Sequence, residues 1–229
     1  GTLEIEGVKG STVVFLSVFK WEARKGYDVL LNAFYSEFNA KDDVALVILT
    51  NAYHDTSDFE AKAARFIPHG VDSEKLPRVF FHRRVDQVDL PRLYARASAF
   101  VLPSRGEGWG RPHVEAMSMG VPVIATNWSG PTEYLTRETG YPLRFEGLVP
   151  VEEGAFKGHL WAQPDAKHLA ELMRSVEQRP LEAAARGARA RRLMVERYSP
   201  QVLGRRLGYL LRELANARDQ KAAIDEPDL

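Results

Sequence analysis

The sequence contains no cysteine among its 229 residues. Disulfides, thiolate nucleophiles and Cys-ligated zinc or iron–sulfur centres are therefore excluded. The absence suits a reducing compartment, so a cytoplasmic location is expected. Net charge is absent too: 31 Lys+Arg face 31 Asp+Glu, without the basic excess of a protein that grips nucleic acid through its phosphates. No apolar run approaches the roughly 20 residues that a membrane-spanning helix requires. Three ligand signatures are also missing. No Gly-x-Gly-x-x-Gly follows the first strand-like run, no Gly-x-x-x-x-Gly-Lys-Ser/Thr phosphate loop occurs, and no Asp-x-Asp pair offers carboxylates to a divalent ion. His54, His69 and His82 lack metal-ligand spacing, so they read as structural and no metal site is expected.

What remains is an ordinary globular composition, 45% apolar and 27% charged. Apolar, β-rich runs bounded by turn residues occupy Val13 to Val18, Val44 to Leu49, Val79 to His82, Ala99 to Leu102 and Val121 to Ala125. Helical patterns lie between them: Val29, Leu30, Ala33, Phe34 and Phe38 mark one face, and Phe59, Ala63, Phe66 and Ile67 another. Strict strand–helix alternation predicts right-handed crossovers and a doubly wound, Rossmann-like parallel sheet covered on both sides. After a short apolar segment at Tyr141 to Phe145, the stretch Glu146 to Pro164 holds five Gly and Pro residues and reads as an irregular surface loop. Helices follow, one capped by Asp165, one restarting at Pro180 and one opened by Ser199 and Pro200 through about Ala217. One domain over residues 1–218 is expected, with 219–229 a flexible tail.

In such a sheet, ligands sit beyond the carboxyl ends of the strands, where neighbouring connections leave to opposite faces. With strand order 3-2-1-4-5-6, that crevice lies between the first and fourth strands. The loop after the first is Phe19-Lys20-Trp21-Glu22-Ala23-Arg24-Lys25-Gly26, with three cations. The loop after the fourth is Pro103-Ser104-Arg105-Gly106-Glu107-Gly108-Trp109-Gly110-Arg111-Pro112. Its glycines permit backbone conformations and close approaches that a side chain would block. Pro112 suits a helix's first turn, and free N–H groups around Trp109, Gly110 and Arg111 would form an anion site facing Lys20 and Lys25. Glu107 and Glu115 beside an anion call for hydroxyl partners, a sugar and a ribose diol. The set points to a sugar joined to a nucleoside diphosphate.

The run Glu107-Gly108-Trp109-Gly110-Arg111-Pro112-His113-Val114-Glu115-Ala116-Met117, followed by Gly120-Val121-Pro122-Val123-Ile124-Ala125-Thr126, resembles the Glu-x7-Glu signature of GT-B glycosyltransferase family 4, glycosyl transferases group 1. The resemblance extends from about Val13 to Leu214 and is to the carboxyl-terminal, donor-binding domain. It implies a retaining, metal-independent hexosyltransferase with no cofactor beyond its nucleotide-sugar donor. Glu115 would bind ribose hydroxyls, Glu107 the transferred sugar, and the backbone at Gly108, Trp109, Gly110 and Arg111 the diphosphate. Lys25 matches a lysine that neutralises the leaving group. Lys20 stands where the family more often has Arg, keeping the charge without the planar fork. The base would lie against Phe81 to Val85, with Arg84 and Val85 as neighbours, and Ser129 to Glu133 would shape the donor site. The resemblance implies that the amino-terminal domain, which usually supplies the acceptor site, lies outside this chain. The acceptor, whether saccharide, lipid or protein, is left open.

Other readings compete. Arg24 is taken as a solvated loop cation. Trp109 would either stack on a ligand or fill the sheet-to-helix junction. His113, beside Pro112, would either reach the site or be a surface or satisfied core residue, the commoner state of a lone His. The last helices carry eight Arg against three Glu between Glu182 and Glu213. That excess suits a solvated face partly against the missing domain, or peripheral contact with an anionic membrane. A non-catalytic nucleotide-sugar-binding or docking module, and an epimerase on the same fold, are the alternatives to a transferase. The chain starts at Gly1 rather than Met without a basic-then-apolar leader, so truncation or processing before Gly1 is expected.

Overall fold

In the computed structural model, residues 2–51, 58–152 and 154–225 are described. His54 lies outside them. Six parallel strands, β1 (Val13–Lys20), β2 (Val44–Asn51), β3 (Arg78–His82), β4 (Ala99–Leu102), β5 (Val123–Thr126) and β6 (Gly140–Leu143), form one sheet in the order 3-2-1-4-5-6. The doubly wound expectation holds. β1 lies between β2 and β4, its Phe15 and Leu16 are fully buried, and each such side chain contributes about 1.5–3 kcal/mol on burial. It pairs with β2 along its whole length and with β4 through Phe15 and Leu16.

Helices α1 (Tyr27–Glu37), α2 (Phe59–Ala64), α3 (Leu90–Arg96) and α4 (Arg111–Ser118) cross between strands, and α5 (Ala166–Gln178), α6 (Pro180–Tyr198) and α7 (Pro200–Asp225) follow. α1 buries Val29, Leu30, Ala33 and Phe34 and packs on α5. Arg174 of α5 clamps that contact, donating to Glu37 and Asp42 and lying 4.3 Å from the Phe38 ring. α4 packs against α6. The connections from β1 and β4 leave in opposite directions across the sheet, which opens the crevice between them.

Two expectations are corrected. The stretch read as a loop is an antiparallel hairpin, β7 (Phe145–Pro150) with β8 (Leu160–Pro164). Phe145, Gly147 and Val149 alternate with exposed Glu146, Leu148 and Pro150, a period-2 pattern that the glycines and prolines obscure. Gly154 and Gly158, both left-handed, lie in the turn rather than in the strands. The last helix also continues to Asp225, past the end expected near Ala217. No Gly or Pro interrupts the sequence from Leu210 to Glu226, and Pro227 is the first residue able to stop the helix. Among the Arg-rich residues, Arg186, Arg189 and Arg191 donate to the carbonyls of Gly140, Glu138 and Ser118. Those three clasp the sheet-side loops and do not form a basic face. Among the described residues, no helix is long and apolar enough to cross a membrane.

Candidate functional site

The site begins where β1 ends. Trp21 turns back onto Tyr27, their rings stacked at 4.4 Å, and residues 23–25 wind into a single 3-10 turn. Gly26 closes that turn and opens α1 with φ of 68°, the left-handed region that favours glycine. A Cβ there would sit 2.0 Å from the Pro103 carbonyl oxygen. The glycine therefore lets the β1 loop pack directly on the β4 loop.

The two loops interlock. Arg105 N–H donates to the Arg24 carbonyl at 2.7 Å, and the Arg24 guanidinium donates to the Gly106 carbonyl at 2.7 Å. Lys25 Nζ donates to Glu107 Oε1 at 2.7 Å, with the two side chains only 11% and 8% exposed. Arg24 reaches the other oxygen, Oε2, at 3.2 Å. Glu107's backbone is held from the far side, its N–H donating to Ser129 Oγ and its carbonyl accepting from Gly130 N–H. Ser129 stands at φ 58°, ψ −145°, a region nearly reserved for glycine, and bears the cost where it fixes a site carboxylate.

α4 opens at Gly110 with φ of 85° and no side-chain cap; Pro112 has no N–H and the His113 N–H donates to the Gly110 carbonyl, so Arg111 supplies the helix-start N–H while the dipole favours an anion. A Cβ at Gly110 would fall 2.6 Å from His113 Nδ1 and 2.8 Å from Tyr134 Oη. One turn in, Glu115 accepts from Tyr94 Oη at 2.9 Å and lies 3.7 Å from Arg111. Burial first, then the adjacent Glu115 carboxylate, pushes the Tyr94 hydroxyl upward, which keeps it a donor.

The residues expected to share a site do not all open onto the same space. A cleft of about 610 Å³ is lined by Lys20, Lys25, Arg84, Val85, Arg111 and Glu115, among others. Glu107 lines instead an adjoining cavity of about 910 Å³ walled by the hairpin. The Lys25–Glu107 bond stands between the two. Gly108 lines the Glu107 cavity and also, with Trp109, a third space, an apolar groove with Tyr198 and Leu203, where the indole packs edge-on against Tyr134 and Tyr198. Trp109 is not brought to the cleft. Neither Gly106 nor Gly108 has a left-handed φ, so the backbone requirement in this loop falls on Gly110. Among the described residues, no group of three His, Asp or Glu could hold a metal ion.

Sequence reasoning missed three participants. Arg24, read as solvated, is paired with Glu107 and bound to Gly106. Arg105 carries two bonds to the Asp28 carboxylate and one to the Ala23 carbonyl, tying α1 to both loops. Three cations close together in a loop gave a signal for Arg24; nothing in the sequence marked Asp28 as the partner of Arg105. The third is His113, which is fully buried, edge-on to Phe100, with both ring nitrogens unpartnered. Burial pushes it down to about 4, the Glu107 carboxylate opposing and Lys25 reinforcing the shift.

His113 thus stays neutral when folded and gains a proton on unfolding below its ordinary value of 6.5. Its contribution is full above that value and lost as pH falls toward 4, about 3 kcal/mol over the interval. Urea unfolding of the wild type and His113→Phe at several pH values should show a flatter acid limb in the variant. Parallel limbs would contradict the assignment.

The fold and this loop pair define a class, the carboxyl-terminal domain of GT-B glycosyltransferases. Residues 10–176 match the glycosyl transferases group 1 family, and the chain belongs to it. It is 27% identical over 212 residues to the GDP-mannose-dependent monoacylated alpha-(1-6)-phosphatidylinositol monomannoside mannosyltransferase of Corynebacterium glutamicum, covering 90% of this chain and 48% of that protein. A 43-residue stretch is 58% identical to O-antigen chain mannosyltransferase B of Escherichia coli, covering 19% of this chain and 11% of that protein. The C-terminal domain of a glycosyl transferase group 1 family protein (LpcC) from Francisella tularensis has the same fold, with a TM-score of 0.63 at 18% identity over 82% of this chain and 87% of that one. Anabaena Alr3699/HepE, solved in complex with UDP-glucose, gives a TM-score of 0.68 at 19% identity, covering 89% of this chain and 49% of that one. The chain spans about half the length of the Corynebacterium relative.

Proposed function

We propose that this chain is the donor-binding half of a retaining, metal-independent hexosyltransferase that uses a nucleoside-diphosphate sugar. The observation that carries the proposal is the Lys25–Glu107 bond at the boundary between a cation-lined cleft and a second cavity. The nucleoside diphosphate occupies the cleft. Glu115 accepts from the ribose hydroxyls, Arg84 and Val85 flank the base, and Lys20, Lys25 and the start of α4 surround the diphosphate. The transferred hexose then lies at Glu107. The mannosyltransferase names of two relatives support a hexose.

The chemistry follows from charge. As the bond between the anomeric carbon and the diphosphate oxygen breaks, its electron pair moves to that oxygen. Lys25, Lys20 and the uncapped helix start are positioned to stabilise the growing negative charge without a metal. The acceptor hydroxyl attacks on the face from which the diphosphate departs and passes its proton to the departing diphosphate oxygen, which retains configuration.

Calorimetry with UDP, GDP and ADP and their sugars tests the donor assignment. Glu115→Ala should weaken nucleoside-diphosphate binding about tenfold, the loss of charge-assisted hydrogen bonds to the ribose. Glu107→Gln separates the two compartments. It removes a carboxylate that competes with the diphosphate for Lys25, so diphosphate affinity should hold or rise, while the preference for nucleotide sugar over nucleotide should disappear. Unchanged behaviour in both variants would overturn the assignment.

A further inference from the structure

The cavity of about 910 Å³ beyond Glu107 is larger than one hexose needs. Its floor is the site itself: Glu22, Arg24, Gly106 and Glu107 all line it, and Glu22 and Arg24 also line the diphosphate cleft. Its walls combine three aromatic rings, Trp128 after β5, Phe156 in the hairpin turn and Trp161 on β8, with the aliphatic Val151 and Leu160.

The hairpin that carries this wall is fastened to the loop that carries Glu107. Ala162 N–H donates to the Arg105 carbonyl at 3.0 Å. The Arg105 guanidinium lies 5.3 Å from the Trp161 ring and reaches Gln163. Trp128 is held by Phe145, the first residue of β7, with ring centroids 5.4 Å apart. Phe156, by contrast, is 69% exposed at the turn, its ring edge-on to His159 with centroids 6.2 Å apart. Burying a large ring there would gain contact area that the free domain leaves unused.

We propose that the β7–β8 hairpin and Trp128 wall a second saccharide subsite, which holds a sugar unit of the acceptor beside the hexose at Glu107. This rests on the donor reading above. The chemistry selects a saccharide. A pyranose offers an apolar C–H face to aromatic rings and hydroxyls at its rim, and this cavity combines rings on its walls with a carboxylate and a guanidinium at its floor. A hydrocarbon chain would have to lie against the charges of Glu22, Arg24, Arg105 and Glu107, and a polyanion would find both arginines already paired with carboxylates, Arg24 with Glu22 and Glu107 and Arg105 with Asp28. Position favours the acceptor, because the cavity reaches from Glu107 away from the diphosphate cleft and has room past the transferred hexose.

The test uses the chain itself, with and without saturating nucleoside diphosphate. Saturation-transfer NMR is recorded for methyl α-mannoside, methyl α-glucoside, their α-linked disaccharides and, as a hydrocarbon probe, octyl sulfate. Saccharides should bind in the millimolar range with the nucleotide present. Phe156→Ala and Trp128→Ala should each weaken that binding about tenfold, and nucleoside-diphosphate affinity should stay unchanged, which also shows that the variants fold. Three results would overturn the proposal: no saccharide binding at tens of millimolar, saccharide binding indifferent to both variants, or octyl sulfate binding in place of the sugars. A fourth would as well: if Phe156→Ala weakens nucleotide sugar relative to nucleotide, the cavity belongs to the transferred hexose. Failure of the donor reading shows separately, as intact diphosphate affinity in Lys25→Ala and Glu115→Ala, while the nucleotide-free arm still reports on the saccharide.

Discussion

Lys25→Ala is expected to weaken nucleoside-diphosphate binding about a hundredfold, close to the upper end for a charge-assisted contact in a partly dehydrated site. The magnitude follows from the position of Nζ. The Lys25 side chain is 11% exposed and its ammonium is already bonded to Glu107 at 2.7 Å, so solvent screens it little and its charge acts at a lower effective dielectric than a surface lysine's. Removing it has a second consequence. Glu107, 8% exposed, is left with Arg24 alone, whose side chain is 41% exposed. The diphosphate then approaches a carboxylate that has lost its nearest counter-charge, and repulsion adds to the missing attraction. Calorimetric Kd values for wild type and variant at two ionic strengths check this. The wild-type affinity should fall with added salt more steeply than that of Lys25→Ala, because the variant has one cation fewer to screen. Equal affinities would remove Lys25 from the diphosphate site.

The largest effect on stability is expected at Gly26. Gly26→Ala would place an L-residue at φ 68°, where its Cβ meets the Pro103 carbonyl oxygen at 2.0 Å. The left-handed conformation alone costs about 1–2 kcal/mol. The overlap is with backbone, so it can be relieved only by separating the β1 and β4 loops. Together these should cost about 3 kcal/mol or more, a fall in Tm of roughly 6–12 °C for a domain of this size. Nucleotide affinity should drop as well, because separating the loops lengthens the Lys25–Glu107 and Arg105–Arg24 contacts. Thermal unfolding with and without nucleoside diphosphate separates the two effects. A variant with wild-type Tm would show that the loops are not locked at this glycine.

The features most legible in the sequence were those set by repetition. Strand–helix alternation predicted the sheet, because each buried parallel strand is a short, nearly continuous apolar run such as Val44 to Leu49, and each crossover is an amphipathic helix. The crevice followed from topology, so the Lys25 and Glu107 loops could be placed together although the residues are far apart in sequence. The hairpin was not legible, since five Gly and Pro residues hid a two-residue alternation and its partner strand lay across a turn. The state of Glu107 was hidden for a different reason. Carboxylates were expected to stand free for hydroxyls, yet two cations from a turn of 3-10 helix reach one carboxylate, and no spacing rule encodes how that turn points its side chains. His113 was equally opaque, because burial without a partner depends on Phe100 and Gly110 closing around the ring.

The most direct test is a crystal structure of this chain with a nucleoside diphosphate bound. Diphosphate oxygens are expected within about 3 Å of Lys25 Nζ and of the Gly110 or Arg111 N–H, with ribose hydroxyls on Glu115 and the Lys25–Glu107 bond lengthened or broken. A nucleotide seated in the groove beside Trp109 and Tyr198, with Lys25 still bonded to Glu107 and the cleft untouched, would contradict the donor assignment.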